Sequence, residues 1–567
     1  MVPDSAPSAS AALASLADRA WTTSLDAEPL SATAVGESGY DGLLADNTPA
    51  GLARTDRELR ELRRQAEALP ADRLTAAERV DRSALVAFLD AELAQQVPMH
   101  ADWSVDPMLG PQVSLLTVGS YQPVAEPAQA GAALQRWRRM GPYVDQHAAN
   151  VRAALADGRA PAAVLVRKVV AQLDDLLARP PAESALLDPT RQDRPQWTDS
   201  ERDRFDAELA GLVRDRVLPA FARLRTALVE EVLPAARPDD RAGIGHLPGG
   251  AALYRQAIRG FGTVELSAEE VHETGLREVT RNGAELVELG GRTLGTASLA
   301  ATVDRLRAAG ELGFDSREEM VEAARAAVAR AEDAVPAWFG LRHTAPCEVL
   351  PTPAHEEADS PPAQYRPPAP DGSRPGRFLV NTLHPGSRPR FALEATAYHE
   401  AVPGHHLQLD VAQRLTGLPA FRRHSIAPAY AEGWGLYAEL LADEMGLYSG
   451  DLDRLGARSF DALRSCRLVV DSGLHGLGWT RQQAIDFIRQ HTTLAERAAA
   501  SEVDRYLAWP GQALSYKLGQ LEITALRAEA RARQVGRFDV RRFHDVVLGQ
   551  GGLPLVTLRE VVTAALP

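Results

Sequence analysis

Residues 397–408 read Ala-Tyr-His-Glu-Ala-Val-Pro-Gly-His-His-Leu-Gln, and the rest of the chain is organised around them. His399 and Glu400 are adjacent, and His405 and His406 follow about one and a half turns later. Imidazoles and a carboxylate packed this densely are costly to bury without a partner, and a metal ion suits all of them. A solvated polar helix end would explain any single histidine. His-Glu followed by Gly-His-His, with Ala395, Ala397, Ala401 and Val402 around it, favours the metal.

The spacing is not that of H-E-x-x-H, where two histidines at i and i+4 share a helix face because each residue advances about 100°. Here i+4 is Pro403. On an ideal helix His405 would sit about 240° around from His399, and His406 would return to its face about 10 Å further along. Neither fits one zinc, with Zn–N of about 2.0–2.1 Å, on a straight helix. Pro403 removes a backbone donor and Gly404 tolerates unusual dihedrals. The spacing therefore predicts an interrupted helix with Gly404-His405 swung back towards His399. His406 stays open as the alternative second ligand.

Glu432, 27 positions after His405, is the candidate third ligand. It lies in Tyr-Ala-Glu-Gly-Trp-Gly-Leu-Tyr-Ala-Glu (430–439), where Glu432 and Glu439 are i and i+7 and can face one way. An amphipathic helix with solvated acids would show the same pattern. If three protein groups hold the ion, a fourth position is left for water, whose pKa falls to about 7. Glu400 points about 100° away from His399 and is placed as general base rather than as ligand.

H-E-A-V-P-G-H-H-L-Q (399–408) followed by A-E-G-W-G-L-Y-A-E (431–439) resembles the signature of the domain-of-unknown-function family numbered 885. Other segments fit that resemblance: P-L-S-A-T-A-V-G (29–36), L-P-G-G-A-A-L-Y (247–254), S-R-P-R (387–390), D-S-G-L-H-G-L-G-W-T (471–480) and P-G-Q-A-L-S-Y-K-L-G-Q (510–520). The family looks like a distant branch of the helical gluzincin metallopeptidases, such as thimet oligopeptidase and angiotensin-converting enzyme. The resemblance implies a mainly α fold, a deep channel, a small β-sheet beside the active site and one Zn2+ held by His399, His405 and Glu432. It also points to Tyr516, and after it His475, as donors to a tetrahedral oxyanion, since similar gluzincins place a Tyr and a His over the substrate. A core aromatic and a loop-stabilising histidine are the plainer readings of these two. Arg467 and Lys517 are candidates for binding a substrate carboxylate, against a role as solvated cations.

The 567 residues are 45% hydrophobic and 24% charged, ordinary for a globular protein. A net charge of −14 argues against nucleic acid and anionic membrane as partners. Cys347 and Cys466 form no C-x-x-C pair and read as reduced. The N-terminus lacks a signal-peptide pattern and no stretch reaches about 20 apolar residues, so a cytoplasmic location is expected. Abundant alanine and arginine with little lysine suggest a GC-rich bacterial genome.

Residues 1–10 are expected to be disordered. Helical patterns follow at 11–25, 54–68, 76–96, 127–155, 160–178 and 199–235. A Gly/Pro-rich break at 243–254 suggests a division into an N-terminal helical half, 11–242, and a catalytic half, 243–567. Ser267-Ala-Glu-Glu270 is a capping box, and Thr480 reads as a helix N-cap. Residues 347–382 hold the β-like runs, divided by a Pro-rich stretch at 356–375. The edge strand of such a sheet can pair with an extended substrate, and Asn381 is placed for that or for a turn. Residues 471–479 read as a loop, and 510–533 as a long helix.

The function expected is zinc-dependent hydrolysis of peptide bonds in short peptides. A dedicated amidase for one small modified peptide and a non-catalytic helical binding protein are the alternatives.

Overall fold

Helix starts follow the local chemistry of the sequence. The Ser267 hydroxyl accepts from the Glu270 N–H while Glu270 returns to the Ser267 N–H, and the helix Ala268–Leu294 begins there. Thr480 and Gln483 open Arg481–His491 in the same way. The computed structural model describes residues 8–99, 105–308, 312–353, 357, 361–368, 372, 374–425 and 427–567. Among these the protein is mainly α with one small sheet. Residues 1–7 of the stretch expected to be disordered lie outside the described residues, while Ser8 caps the helix Ala9–Ala27.

Two expectations about helices need correction. The run 199–235 is not one regular helix: widened turns at Val213–Val217 and Leu228–Val232 each precede a proline, Pro219 and Pro234. Proline lacks an N–H and clashes with the carbonyl a turn earlier, and a widened turn relieves both. The segment 471–479 is not all loop either, since the helix Asp451–His475 continues through Asp471. Asp471 is buried, accepting from the Tyr254 hydroxyl at 2.6 Å and from the Gly511 N–H. Partners from distant chain turn a loop-like Asp-Ser-Gly into helix interior.

The sheet consists of β1 (Cys347–Pro351), β2 (Ala363–Arg366) and β3 (Gly376–Val380), in the order β1-β3-β2. β1 runs parallel to β3 and β2 antiparallel to it, with Val349 and Tyr365 both opposite Phe378. Parts of the Pro-rich stretch, 356, 358–360, 369–371 and 373, lie outside the described residues. β3 leads through residues 381–389 into the helix Arg390–Glu400, which carries His399 and Glu400. Asn381 is fully buried in that turn, donating to the Glu357 carbonyl at 2.8 Å and accepting from the Leu383 N–H.

The cores do not divide at residue 242. Leu16, Leu59, Leu85 and Leu89 from the first helices share one core with Phe378, Tyr398, Trp434 and Ile523. Each fully buried leucine there contributes about 1.5–3 kcal/mol. Residues 105–232 build a second core around Trp137 and Phe221. Residues 13–20 and the helix residues between 59 and 93 thus pack with the metal-helix side, while Leu30 and Leu44 lie against the second core. Apolar helix faces pair by proximity in space, which the Gly/Pro break at 243–254 does not reveal. Among the described residues, no helix is long and apolar enough to cross a membrane.

Candidate metal centre

The helix Arg390–Glu400 stops at Glu400, as the proline-glycine pair predicts. Ala401 leaves helical dihedrals (φ −101°, ψ −108°), the Val402–Pro403 peptide is cis, and the next helix, His405–Gln413, starts directly after Gly404. A Cβ on Gly404 would lie 1.9 Å from the His399 carbonyl oxygen. Only glycine therefore lets the chain turn back so closely on the helix it has just left.

This reversal brings the His399 and His405 rings edge to face, with centroids 4.7 Å apart. Glu432 Oε2 lies 3.5 Å from His399 Nε2 and 3.7 Å from His405 Nε2. One ligand atom from each of the three residues falls within 4.8 Å of the others. Ligand atoms around a tetrahedral zinc at about 2.0–2.1 Å lie roughly 3.3 Å apart, so the observed separations fit one ion with small adjustments. His406 is turned away: Nδ1 accepts from the Tyr365 hydroxyl at 2.8 Å and Nε2 donates to the Ala345 carbonyl at 3.0 Å. The adjacent histidines thus divide their work, His405 facing the cluster and His406 tying the helix to the sheet.

Close helix packing makes room for the cluster. A Cβ on Gly435 would meet the His399 ring at 2.6 Å, so that ring lies on bare backbone of the helix Pro428–Glu444. On the same helix Gly433 faces Gly519, where an added Cβ would sit 1.8 Å from the Ala429 carbonyl. This draws in the helix Ser515–Arg533, which carries Tyr516. Trp434 Nε1 donates to the Pro403 carbonyl at 3.0 Å and fastens the break to the Glu432 helix.

His399 Nδ1 lies 2.8 Å from Glu439 Oε1, which leaves Nε2 for the cluster side. Glu439 also receives Arg464 Nη2 at 3.3 Å. Burial disfavours a charged His399, but its bonds to Glu432 and Glu439 outweigh it and hold the imidazolium up to about 10. Burial likewise opposes a charged Glu432, yet His399 and His405 hold it well below the carboxylate range. The site therefore attracts positive charge, and a divalent cation meets that demand. Glu400 goes the other way: burial, then the Glu432 charge, raises its carboxyl, against His399, His405 and Arg464. Among the described residues it has no hydrogen-bond partner. A raised carboxyl with no hydrogen-bond partner beside this His–Glu cluster suits proton transfer.

The remaining candidates separate. Tyr516 feels the charge of Glu432, which adds to burial in raising its phenol, and Arg467 stacks 4.5 Å over its ring. Arg467 itself is buried, bonded to Glu502 Oε2 at 3.0 Å and to the Tyr506 hydroxyl, so it braces Tyr516 instead of meeting a substrate. Lys517 is fully buried on Asp461 (2.6 Å) and Glu278 (3.1 Å) and is no substrate ligand. His475 is spent on main chain: Nδ1 accepts from the Ile244 N–H and Nε2 donates to the Tyr506 carbonyl, both at 3.1 Å. Asn381 is spent on its turn. Arg464 escapes sequence reasoning, because nothing in residues 460–468 marks it as near His399. Glu439 has one signal, its i+7 spacing from Glu432.

Residues 29–562 match the family described as "Bacterial protein of unknown function (DUF885)". The chain belongs to the DUF885 family. A search of curated proteins finds no match. The DUF885 chain is similar to the crystal structure of a provisionally designated lipoprotein from Colwellia psychrerythraea. The TM-score is 0.91 at 28% identity, over 99% of this chain and 100% of that one. A second such lipoprotein, of unknown function, from Shewanella oneidensis shares the fold at a TM-score of 0.73 and 19% identity, over 98% and 100%.

Proposed function

We propose that this DUF885 protein is a zinc-dependent metallohydrolase that cleaves amide bonds in short peptides, on a gluzincin-like scaffold. The carrying observation is the meeting of His399, His405 and Glu432 beside a half-buried carboxyl, Glu400, that has no hydrogen-bond partner among the described residues. His399, His405 and Glu432 would hold the ion. When bound, zinc would supply Lewis acidity, making a water acidic enough to lose a proton near neutral pH and polarising a carbonyl.

The chain's own groups do the rest. Glu400 accepts the proton of the attacking water and returns it to the departing amine. The Tyr516 hydroxyl donates to the oxyanion as charge builds there. Arg467, stacked on the Tyr516 ring, fixes that phenol, and Glu439 fixes the His399 ring. No nucleic acid or membrane has a part in this scheme.

The test is metal content by mass spectrometry together with a peptide-library digest of the wild type and of Glu400→Gln. The proposal expects about one zinc per chain in both proteins and cleavage by the wild type alone. Cleavage of a single unusual amide would indicate the dedicated amidase. Metal-free protein with no cleavage would indicate a helical binding protein and end the enzymatic reading.

A further inference from the structure

Two guanidiniums beside Tyr516 share one carboxylate. Glu502 Oε2 accepts from Arg467 Nη2 at 3.0 Å, from Arg505 Nη2 at 3.3 Å and from the Tyr506 hydroxyl at 2.6 Å. Asp471, the other carboxyl that feels Arg505, is taken by the Tyr254 hydroxyl and the Gly511 N–H. Two cations thus face one committed anion. The two arginines are not equivalent. Arg467 is buried and braces the Tyr516 ring. Arg505 keeps 17% of its side chain exposed. Besides Glu502 it bonds only Gln512 among the described residues, from Nη1 to Oε1 at 2.7 Å, and it lies 4.9 Å over the Tyr506 ring. A guanidinium carries five N–H donors, so most of this one's capacity is unspent.

Arg505 is tied to the metal centre through Gln512 and Tyr516. These two lie four residues apart on successive helical turns and share a face. Both are half-buried, whereas Ala513, Leu514, Ser515 and Lys517 are buried. Glu400, His405 and Glu432 are half-buried as well, so the cluster and the Arg505 group both keep an opening to solvent. The Tyr516 phenol feels the charges of Glu432, Arg467 and Arg505, which makes it the member common to both groups. One glutamine side chain separates Arg505 from Tyr516, a span that one or two residues of extended peptide cover at about 3.3–3.6 Å each.

Resting on the hydrolase reading, we propose that Arg505 anchors a carboxylate of the substrate, one or two residues from the bond cleaved, while Tyr516 meets the carbonyl of that bond. The guanidinium fork matches a carboxylate in shape and charge. The role that the sequence offers to Arg467 or Lys517 thus falls to Arg505. Two sources supply such a group. One is the C-terminus of the peptide, in which case one or two residues are released from that end. The other is an acidic side chain.

Three peptides test this on the full zinc-loaded chain: acetyl-tetraalanine as the free acid, the same peptide as its amide, and the amide with Glu in the last position. The free acid should exceed the plain amide about 10–100-fold in kcat/KM. Arg505→Met should bring that ratio to about one, and Arg505→Lys should keep part of it. The ratio compares two substrates on one protein, so general damage to the fold or to Tyr516 cancels. A Glu-amide that matches the free acid assigns the anchor to acidic side chains, and one that matches the plain amide assigns it to the chain end. The peptide-library digest shows separately whether the hydrolase reading holds. Calorimetry with the same peptides on Glu400→Gln, with and without Arg505→Met, reads the anchor without turnover. Equal values for acid and plain amide in both assays, or a preference that survives Arg505→Met, would overturn the proposal.

Discussion

His399 Nδ1 and Glu439 Oε1 meet at 2.8 Å inside the protein, and the same carboxylate holds Arg464. The pair fixes which ring nitrogen faces Glu432. Groups behind a metal ligand set its orientation and basicity, and their loss costs about 10–100-fold in affinity. Glu439→Gln should therefore bind zinc about 10–100-fold more weakly in a chelator competition while keeping its helical circular dichroism. An affinity within twofold of wild type would sink this role for Glu439.

Gly435 is required by contact, not by backbone angle. Gly435→Ala puts a methyl 2.6 Å from the His399 ring. Overpacking of this kind costs about 1–3 kcal/mol, and the ring is what must move. The variant should lose metal affinity by a larger factor than Gly417→Ala, where nothing lies within 4 Å of the added methyl. Equal zinc affinities in the two variants would show that the ring moves freely.

Tyr516 carries the oxyanion role in the proposed mechanism. Tyr516→Phe should lower kcat by about 10²–10³ with little change in KM, since the hydroxyl acts on charge that develops only in the transition state. Arg467→Met should give a smaller loss of the same kind, because it removes the brace and leaves the donor. A purely structural Tyr516 would instead show unaltered kcat with a lowered melting temperature.

His544 gives a pH test outside the metal centre. Its ring nitrogens are taken by the Tyr437 hydroxyl (2.8 Å) and the Trp338 carbonyl (2.9 Å), and burial pushes its pKa down to about 3. The unfolded chain protonates this histidine below about 6.5 while the folded chain resists until about 3. Stability tied to His544 is thus full above that range and is lost as pH falls through it. The slope is about 1.4 kcal/mol per pH unit. Urea melts at pH 7, 6, 5 and 4 should show wild type losing more stability than His544→Gln over that span. Parallel curves for the two proteins would contradict the assignment.

The sequence carried the local decisions. The interruption at Pro403-Gly404, the caps at Ser267 and Thr480 and the small sheet ahead of the His399 helix are each set within a few residues, by spacing, ring strain or side-chain hydrogen bonding. So was the grouping of His399 and Glu400 with His405 and His406, because such groups are costly to bury without a partner, whereas Glu432 is open on pattern alone and is favoured by the family resemblance. Tertiary structure decided the rest. It separated His405 from His406, since only packing against Tyr365 and Ala345 gives the second ring its partners. It took His475, Lys517 and Asn381 away from the site by pairing each with chain far off in sequence. It also joined the first helix and the helices between residues 59 and 93 to the metal-helix core. Hydrogen bonds and apolar contacts between distant segments depend on three-dimensional placement, and no local pattern records that.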